Sequence, residues 1–148
     1  MLMAKVDLHM HSSFSDDGDY TPEELLSLAN KAGLKAIAVT DHNSVRGVDE
    51  AIRAGKSLSI EVVPAVELDC LYNDLVFHVI GYYIDHTCEK YLKVEQEVLK
   101  QEIAASEERV ERVRKMGIEV DMDEVLALSK DGSVTGELIA EAVLNKPD

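Results

Sequence analysis

The feature that most constrains the fold is a strand, a capped helix and a second strand in immediate succession. The apolar segment Lys5–Leu8 precedes a helix start at Thr21, where proline follows at the first helical position and Glu24 completes a capping box. Gly33 ends this helix, and the apolar run Lys35–Val39 follows it. A β-α-β unit requires a right-handed crossover and a parallel pair of strands. The sequence therefore predicts an α/β fold with a mostly parallel sheet.

The rest of the chain continues as alternating elements and then becomes helical. A short turn around Asn73 and Asp74 separates two strand-like runs. Farther on, apolar residues recur at helical spacing among many charged ones, which predicts a long amphipathic helix that Gly117 ends. The predicted elements after Val39 are a helix over Val48–Ser57, strands over Glu61–Val66 and Leu75–Tyr83, a helix over Glu89–Met116, and shorter helices over 121–128 and 135–144.

Two histidines lie where the first strand ends. Successive side chains of a strand point to opposite faces, so His9 and His11 project on the same side, about 7 Å apart at Cα, and can close on one cation. The following residues have turn chemistry, and this loop can bring Asp16 or Asp17 back over the same face. The alternative interpretation is two surface histidines before an acidic turn.

Three further candidate ligands accompany later apolar runs. His42 comes just after the second strand, and Glu67 follows the third, where a buried carboxylate must be paired, protonated or bound to metal. His78 lies between apolar neighbours, so we expect it to be buried. Taken singly, Glu67 fits a structural ion pair and His78 fits a hydrogen-bonded core histidine. Together they lie at or beyond strand ends, where α/β sheets and barrels gather their chemistry.

These segments resemble the motifs of the polymerase and histidinol phosphatase (PHP) family of metal-dependent phosphoesterases. The resemblance rests on D-L-H-x-H-S-x-x-S-D over Asp7–Asp16, T-D-H-N-S over Thr40–Ser44, Glu67, and F-H-V-I-G around His78, in the family's order. The combination is most similar to the stand-alone, TrpH-like branch. It implies the front half of a distorted α/β barrel, with a centre of up to three divalent metal ions at the C-terminal ends of the strands.

The resemblance also implies a mechanism and a ligand set. The centre would bind the phosphate of a small metabolite, nucleotide or oligonucleotide end and activate a water that attacks phosphorus. No side chain would act as the nucleophile. Imidazole ligands favour Mn²⁺, Zn²⁺ or iron over Mg²⁺. Asp7 and Asp41 would accept the second ring N–H of ligand histidines. The implied metal ligands are His9, His11, Asp16, His42, Glu67 and His78.

Members of the family supply further ligands from a later histidine and from a C-terminal aspartate and histidine pair. This sequence carries no such motif, and we interpret His86 as an ordinary loop residue. We therefore expect a truncated domain: residues 1–88 form the N-terminal half of the barrel, residues 89–148 form a helical insertion region, and the C-terminal half is absent. The alternative to a phosphoesterase is then a catalytically silent metal-binding fragment. An uncovered sheet edge also predicts a homo-oligomer.

Charge and hydropathy limit the binding partners and the cellular location that we expect. The formal net charge of −14 argues against an extended nucleic-acid surface, whereas bound cations would still attract a phosphorylated small molecule or nucleotide. No apolar run approaches the roughly 20 residues that span a bilayer. The first residues do not resemble a secretory signal, so we expect no membrane contact and a cytoplasmic location. Cys70 and Cys88 lack metal-binding spacing and are expected to be reduced.

Overall fold

The structure, a computed structural model, describes residues 5–145, and the chain divides into two compact units that meet in sequence between Leu92 and Lys93. The first unit contains a four-stranded sheet and two helices that pack with it. Its elements are β1 Lys5–Met10, α1 Pro22–Ala32, β2 Leu34–Val39, α2 Val48–Leu58, β3 Glu61–Tyr72 and β4 Leu75–Tyr82.

The sheet has the order β1-β2-β3-β4 and is mostly parallel, as predicted. β1 pairs with β2, and β2 with β3, in parallel, so the residues that follow β1 and β2 meet at one end of the sheet. β3 and β4 form an antiparallel hairpin, in which Asn73 and Asp74 have φ of 48° and 62°. Positive φ at both central residues is typical of a two-residue hairpin turn. Because it pairs with β4 along its second half, β3 continues past the predicted end at Val66 to Tyr72.

Helix α1 begins and ends where the local sequence predicts. The Thr21 hydroxyl accepts the N–H of Glu24 at 3.3 Å, and the Glu24 carboxylate accepts the N–H of Thr21 at 2.9 Å, which completes the capping box. Gly33 ends the helix with φ of 76°. The helix buries one apolar face, and full burial of a leucine such as Leu26 stabilises the fold by about 1.5–3 kcal/mol. The core around this face consists of Leu25, Leu26, Ala29, Ile37, Val39, Ala51 and Ile60.

The second unit is helical. It contains most of α3, Glu89–Lys115, together with α4, Met122–Leu128, and α5, Gly136–Leu144. The hydroxyl of the buried Ser106 accepts the N–H of Val134 at 3.0 Å, which ties the loop before α5 to α3. The apolar core of this unit consists of Val110, Val120, Val125, Val134, Leu138, Ile139 and Ala142.

The predicted helices are confirmed within about one residue at each end. As predicted, Gly117 follows α3 in a left-handed conformation, with φ of 85°. Within residues 5–145, none of the helices combines the length and the apolar content needed to cross a bilayer. The domain boundary expected at residue 88 stays a prediction.

Candidate metal centre

Both histidines at the end of β1 face one carboxylate. The imidazoles of His9 and His11 lie side by side, with ring centroids 5.1 Å apart, as alternation along a strand requires. Nε2 of His9 is 2.7 Å from Oε2 of Glu67, and Nε2 of His11 is 3.2 Å from the same oxygen. The sequence predicts that Asp7 accepts a ring N–H, but Oδ1 of Asp7 instead accepts the backbone N–H of His9 at 3.2 Å.

A buried carboxylate joins the ends of β1 and β2. Asp41, only 2% exposed, accepts the backbone N–H of Ser12 at 2.6 Å and its hydroxyl at 2.7 Å. The backbone carbonyl of Asp41 also accepts the N–H of Glu67 at 3.2 Å. Burial raises the pKa of Asp41 above its ordinary value, although the hydrogen bonds from Ser12 oppose this. Asp41 thus fixes the residue that follows His11, whereas the sequence predicts that it orients a histidine ring.

The loop after His11 folds into two consecutive turns. The N–H of Ser15 bonds the carbonyl of Ser12 at 2.9 Å, and the N–H of Gly18 bonds the carbonyl of Ser15 at 3.2 Å. The Ser15 hydroxyl accepts the N–H of His42 at 2.7 Å, so this loop is attached to the end of β2. A Cβ at position 18 would overlap the carbonyl of Ser12, which restricts this position to glycine.

These turns bring Asp17 to the imidazoles. Oδ1 of Asp17 is 3.3 Å from Nδ1 of His11, and Oδ2 is 3.6 Å from Nε2 of His42. Asp16, the predicted ligand, belongs to none of the candidate cation-binding groups that residues 5–145 form. Spacing alone could not decide between two adjacent aspartates in one loop, because the choice depends on the turns.

Glu67 lies between imidazoles from two strands. It is 4% exposed, and its second oxygen, Oε1, is 2.7 Å from Nδ1 of His78. His78 lies in the middle of β4, and its side chain is 47% exposed, so the prediction that it is buried is wrong. The reason is that the apolar neighbours of His78 on β4 are themselves exposed, including Val76 at 71% and Val79 at 43%.

Sequence reasoning missed Asp69. Oδ1 of Asp69 is 2.7 Å from Nδ1 of His42 and 3.6 Å from Nε2 of His78. Asp69 follows Glu67 by two residues on β3, so both project from the same face of the strand. This is the spacing that singled out His9 and His11, and applied to acidic residues it would have found Asp69.

The clustered groups shift one another's pKa values. Burial acts to raise the pKa of Glu67, but the hydrogen bonds and charges of His9, His42 and His78 outweigh it and leave the pKa lowered. The hydrogen bond to Asp69 raises the pKa of His42 to about 9. The same hydrogen bond lowers the pKa of Asp69. At neutral pH His42 is therefore an imidazolium among carboxylates, so the arrangement stabilises positive charge at this point.

Three groups of side chains could each hold a cation, because the ligand atoms within each group lie within 4.8 Å of one another. Neighbouring groups share a histidine, and both donor types, imidazole and carboxylate, fit divalent transition metals. His86 lies outside these groups, with Nε2 3.0 Å from Oδ1 of Asp49. The groups are His9 with His11 and Glu67, His11 with Asp17 and His42, and His42 with Asp69 and His78.

The residues of these groups lie in a segment that matches a known family. The family model of the PHP domain matches residues 7–139. The chain belongs to the PHP-domain family. The match confirms the family inferred from the sequence motifs, and it includes every residue of the three groups in this PHP domain.

Several relatives of this PHP domain carry the names of hydrolytic enzymes. A 5'-3' exoribonuclease of Haemophilus influenzae is 35% identical over 133 residues, which are 88% of this chain and 47% of that protein. A 3',5'-nucleoside bisphosphate phosphatase of Chromobacterium violaceum is 32% identical over 119 residues, which are 80% of this chain and 39% of that protein. The PHP domain described here spans about half the length of the relatives it matches.

Solved structures share the fold. A Chromobacterium violaceum protein described as an amidohydrolase, with bound sulfate and no metal, aligns with a TM-score of 0.86 at 22% identity, over 96% of this chain and 50% of that chain. A proposed metal-dependent phosphoesterase of Bifidobacterium adolescentis aligns with a TM-score of 0.80 at 26% identity, over 94% of this chain and 49% of that chain. These likenesses confirm the predicted α/β fold of the PHP type.

Proposed function

We propose that this PHP domain belongs to a metal-dependent phosphoesterase that hydrolyses a phosphate ester of a small metabolite, nucleotide or oligonucleotide end. The observation that carries the proposal is the convergence of imidazoles and carboxylates from β1, β3, β4 and the loops after β1 and β2 into three adjoining groups. The relatives named as an exoribonuclease and a nucleoside bisphosphate phosphatase support phosphate esters as the substrate class.

The proposed ligands follow the sequence prediction with one change, because Asp17 replaces Asp16. Glu67 is the proposed bridging ligand, since its two oxygens face imidazoles on opposite sides, His9 at 2.7 Å and His78 at 2.7 Å. Four imidazoles favour Mn²⁺, Zn²⁺ or iron over Mg²⁺, with up to three ions. The proposed ligands are His9, His11, Asp17, His42, Glu67 and His78.

The proposed nucleophile is water, and not a side chain. Divalent cations held here would supply Lewis acidity and lower the pKa of water toward about 7. The Ser12 hydroxyl donates to the Asp41 carboxylate at 2.7 Å, and the Ser15 hydroxyl accepts the backbone N–H of His42 at 2.7 Å and lies 3.4 Å from Nδ1 of His11. The protein's own role is to hold the imidazoles in place and to supply positive charge, through its bound cations, to an otherwise acidic chain.

A second candidate function is cation binding without turnover. Each group offers three protein ligands, and the chain spans about half the length of its relatives. In this candidate the three protein ligands of each group are enough to bind metal but not to hydrolyse a phosphate ester. The two candidates differ in one observable, which is the hydrolysis of a phosphate ester by a metal-loaded chain.

The experiment measures inorganic phosphate released from adenosine 3',5'-bisphosphate and mononucleotides released from a 5'-phosphorylated oligoribonucleotide, with Mn²⁺ present. We expect release by the wild-type chain and its loss in His11→Ala and Glu67→Gln. His86→Ala is the matched control, because this histidine pairs with Asp49 outside the groups. Stoichiometric metal binding without release of either product would favour the second candidate, and equal release by all four proteins would contradict the proposal.

We also propose that the chain self-associates through its exposed β3–β4 hairpin. Large apolar side chains are exposed near the turn, with Leu71 at 71%, Tyr72 at 68% and Val76 at 71%. Exposed apolar side chains on the edge hairpin of a sheet favour pairing with a second copy. Light scattering at micromolar concentration should give a mass above that of one chain, and a clean monomer would contradict the proposal.

A further inference from the structure

The carboxylate of Asp69 is held on both sides by its neighbours. Oδ1 of Asp69 is 2.7 Å from Nδ1 of His42, and Oδ2 accepts a hydrogen bond from Nδ2 of Asn43 at 2.8 Å. Oδ1 of Asn43 in turn accepts the backbone N–H of Asp69 at 3.0 Å. Asn43 therefore contacts both the backbone and the side chain of Asp69, and this leaves the carboxylate little freedom to rotate.

The backbone conformation of Asn43 makes this clamp possible. Asn43 has φ of 54°, in the left-handed region that asparagine tolerates better than most residues. Its N–H bonds the carbonyl of Glu67 at 2.7 Å, and His42 and Glu67 form a parallel bridge. The segment after β2 is thus registered against β3 at Glu67, two residues before Asp69.

The contact with Asp69 gives the two ring nitrogens of His42 different roles. A neutral imidazole carries one N–H, and a carboxylate at 2.7 Å from Nδ1 selects the tautomer with the proton on Nδ1. Nε2 then has a free lone pair. It lies 3.6 Å from Oδ2 of Asp17, whose other oxygen is 3.3 Å from Nδ1 of His11.

We propose that Asp69, clamped by Asn43, is a positioning residue that holds His42 in the Nδ1–H tautomer, so that Nε2 binds the cation shared with His11 and Asp17. This inference rests on the proposed metal-dependent function and specifies which nitrogen of His42 faces the metal. It also assigns Asn43 a role in the centre through its two hydrogen bonds with Asp69.

The competing arrangement uses Asp69 as a ligand. Asp69, His42 and His78 form one of the three candidate groups, with Nε2 of His78 3.6 Å from Oδ1 of Asp69. In that arrangement His42 would bind the cation through Nδ1, and the hydrogen bond to Asp69 would be lost. A single nitrogen cannot donate to a carboxylate and bind a cation at once, so the two arrangements exclude each other.

Nuclear magnetic resonance distinguishes them on the wild-type chain. Long-range ¹H–¹⁵N spectra of the Zn²⁺-loaded protein, labelled with ¹⁵N-histidine, report which ring nitrogen is protonated and which binds metal. The assignment of His42 follows from the signal missing in His42→Gln. We expect a protonated Nδ1 and a metal-bound Nε2 for His42, and a metal-bound Nδ1 would overturn the inference.

Matched variants test the clamp through Zn²⁺ affinity measured by calorimetry. Asn43→Gly keeps the left-handed backbone and removes the clamp, while Asp69→Asn cannot accept from both His42 and Asn43. We expect each to weaken binding of one cation by about 10- to 100-fold. The controls are Asn73→Gly and Asp74→Asn, which make the same changes at two positive-φ residues in the hairpin turn and should leave the affinity unchanged.

The outcomes separate this inference from the proposed function. A wild-type chain that binds no cation would overturn both this inference and the proposed function. A chain that binds cations, but with unchanged affinity in Asn43→Gly and Asp69→Asn, would overturn the role of the clamp and leave the metal-dependent function standing. Loss of a whole cation equivalent at saturating Zn²⁺ in Asp69→Asn would identify Asp69 as a ligand, which also overturns the inference.

Discussion

The carboxylate of Asp41 accepts two hydrogen bonds from Ser12, at 2.6 Å from the backbone N–H and at 2.7 Å from the hydroxyl. Both residues are buried, at 2% and 0% exposure, so neither group can turn to water instead. This pair connects the end of β1, where His11 lies, to the end of β2, where His42 lies. The relative position of the two histidines therefore depends on a contact that touches neither ring.

Asp41→Ala is expected to destabilise the fold. The substitution leaves two buried donors of Ser12 without an acceptor, which costs about 2–4 kcal/mol in the free energy of unfolding. Urea unfolding followed by circular dichroism measures this difference. Lys31→Ala, at an exposed position in the last turn of α1, is the control and should stay within about 0.5 kcal/mol of the wild type. Equal effects in the two variants would show that the buried pair does not matter.

Gly18→Ala is expected to weaken metal binding. A Cβ at this position meets the carbonyl of Ser12, so the turn that carries Asp17 must shift. We expect at least about a 10-fold loss of affinity for one cation, as for other displaced ligand shells, measured by calorimetry with Zn²⁺. Gly136→Ala is the control, because a Cβ there has no heavy atom within 4 Å. Unchanged affinity in Gly18→Ala would argue against Asp17 as a ligand.

Removal of metal is expected to lower thermal stability. A ligand that binds only the folded chain stabilises it by about 2.7 kcal/mol at 100 times its dissociation constant. For a chain of this size we expect Mn²⁺ or Zn²⁺ to raise the melting temperature of chelator-treated protein by about 5–15 °C. His86→Ala should show the same rise, and Glu67→Gln should lose most of it. A melting temperature that is indifferent to metal would contradict the account.

Cation binding at neutral pH is expected to release a proton from His42. Its pKa is raised to about 9, so in the chelated chain the ring is charged at pH 7.5, and binding a cation requires the neutral ring. In the chelated chain, the stabilisation from this ion pair is fully present below the unfolded pKa, about 6.5, and is lost as the pH rises through about 9. Calorimetry in buffers of different ionisation enthalpy counts the protons. About one proton should be released per cation bound at His42, and a count of zero would contradict this assignment.

Local chemistry in the sequence was sufficient for much of the fold. The capping box at Thr21, the turn at Asn73 and Asp74, and the helix end at Gly117 are each determined by hydrogen bonds or φ angles within a few residues. For the same reason His9 and His11 could be recognised as a pair, because alternation along one strand already places them together.

Contacts between distant segments could not be read in this way. The placement of Asp17 beside His11 and His42 depends on two turns and on the attachment of Ser15 to His42. The exposure of His78 depends on whether other elements pack on β4, and apolar neighbours in the sequence do not show this. The spacing of Glu67 and Asp69 places both on one face of β3, but the imidazoles that Asp69 faces, His42 and His78, come from other segments.

The central claim is that side chains distant in sequence hold divalent cations together at one end of the sheet. Elemental analysis of the purified chain after dialysis tests it most directly, with His11→Ala and Glu67→Gln measured in parallel. We predict at least one equivalent of manganese, zinc or iron per wild-type chain and a clear loss in both variants. Metal content at background level in the wild type, after exposure to these ions, would contradict the account.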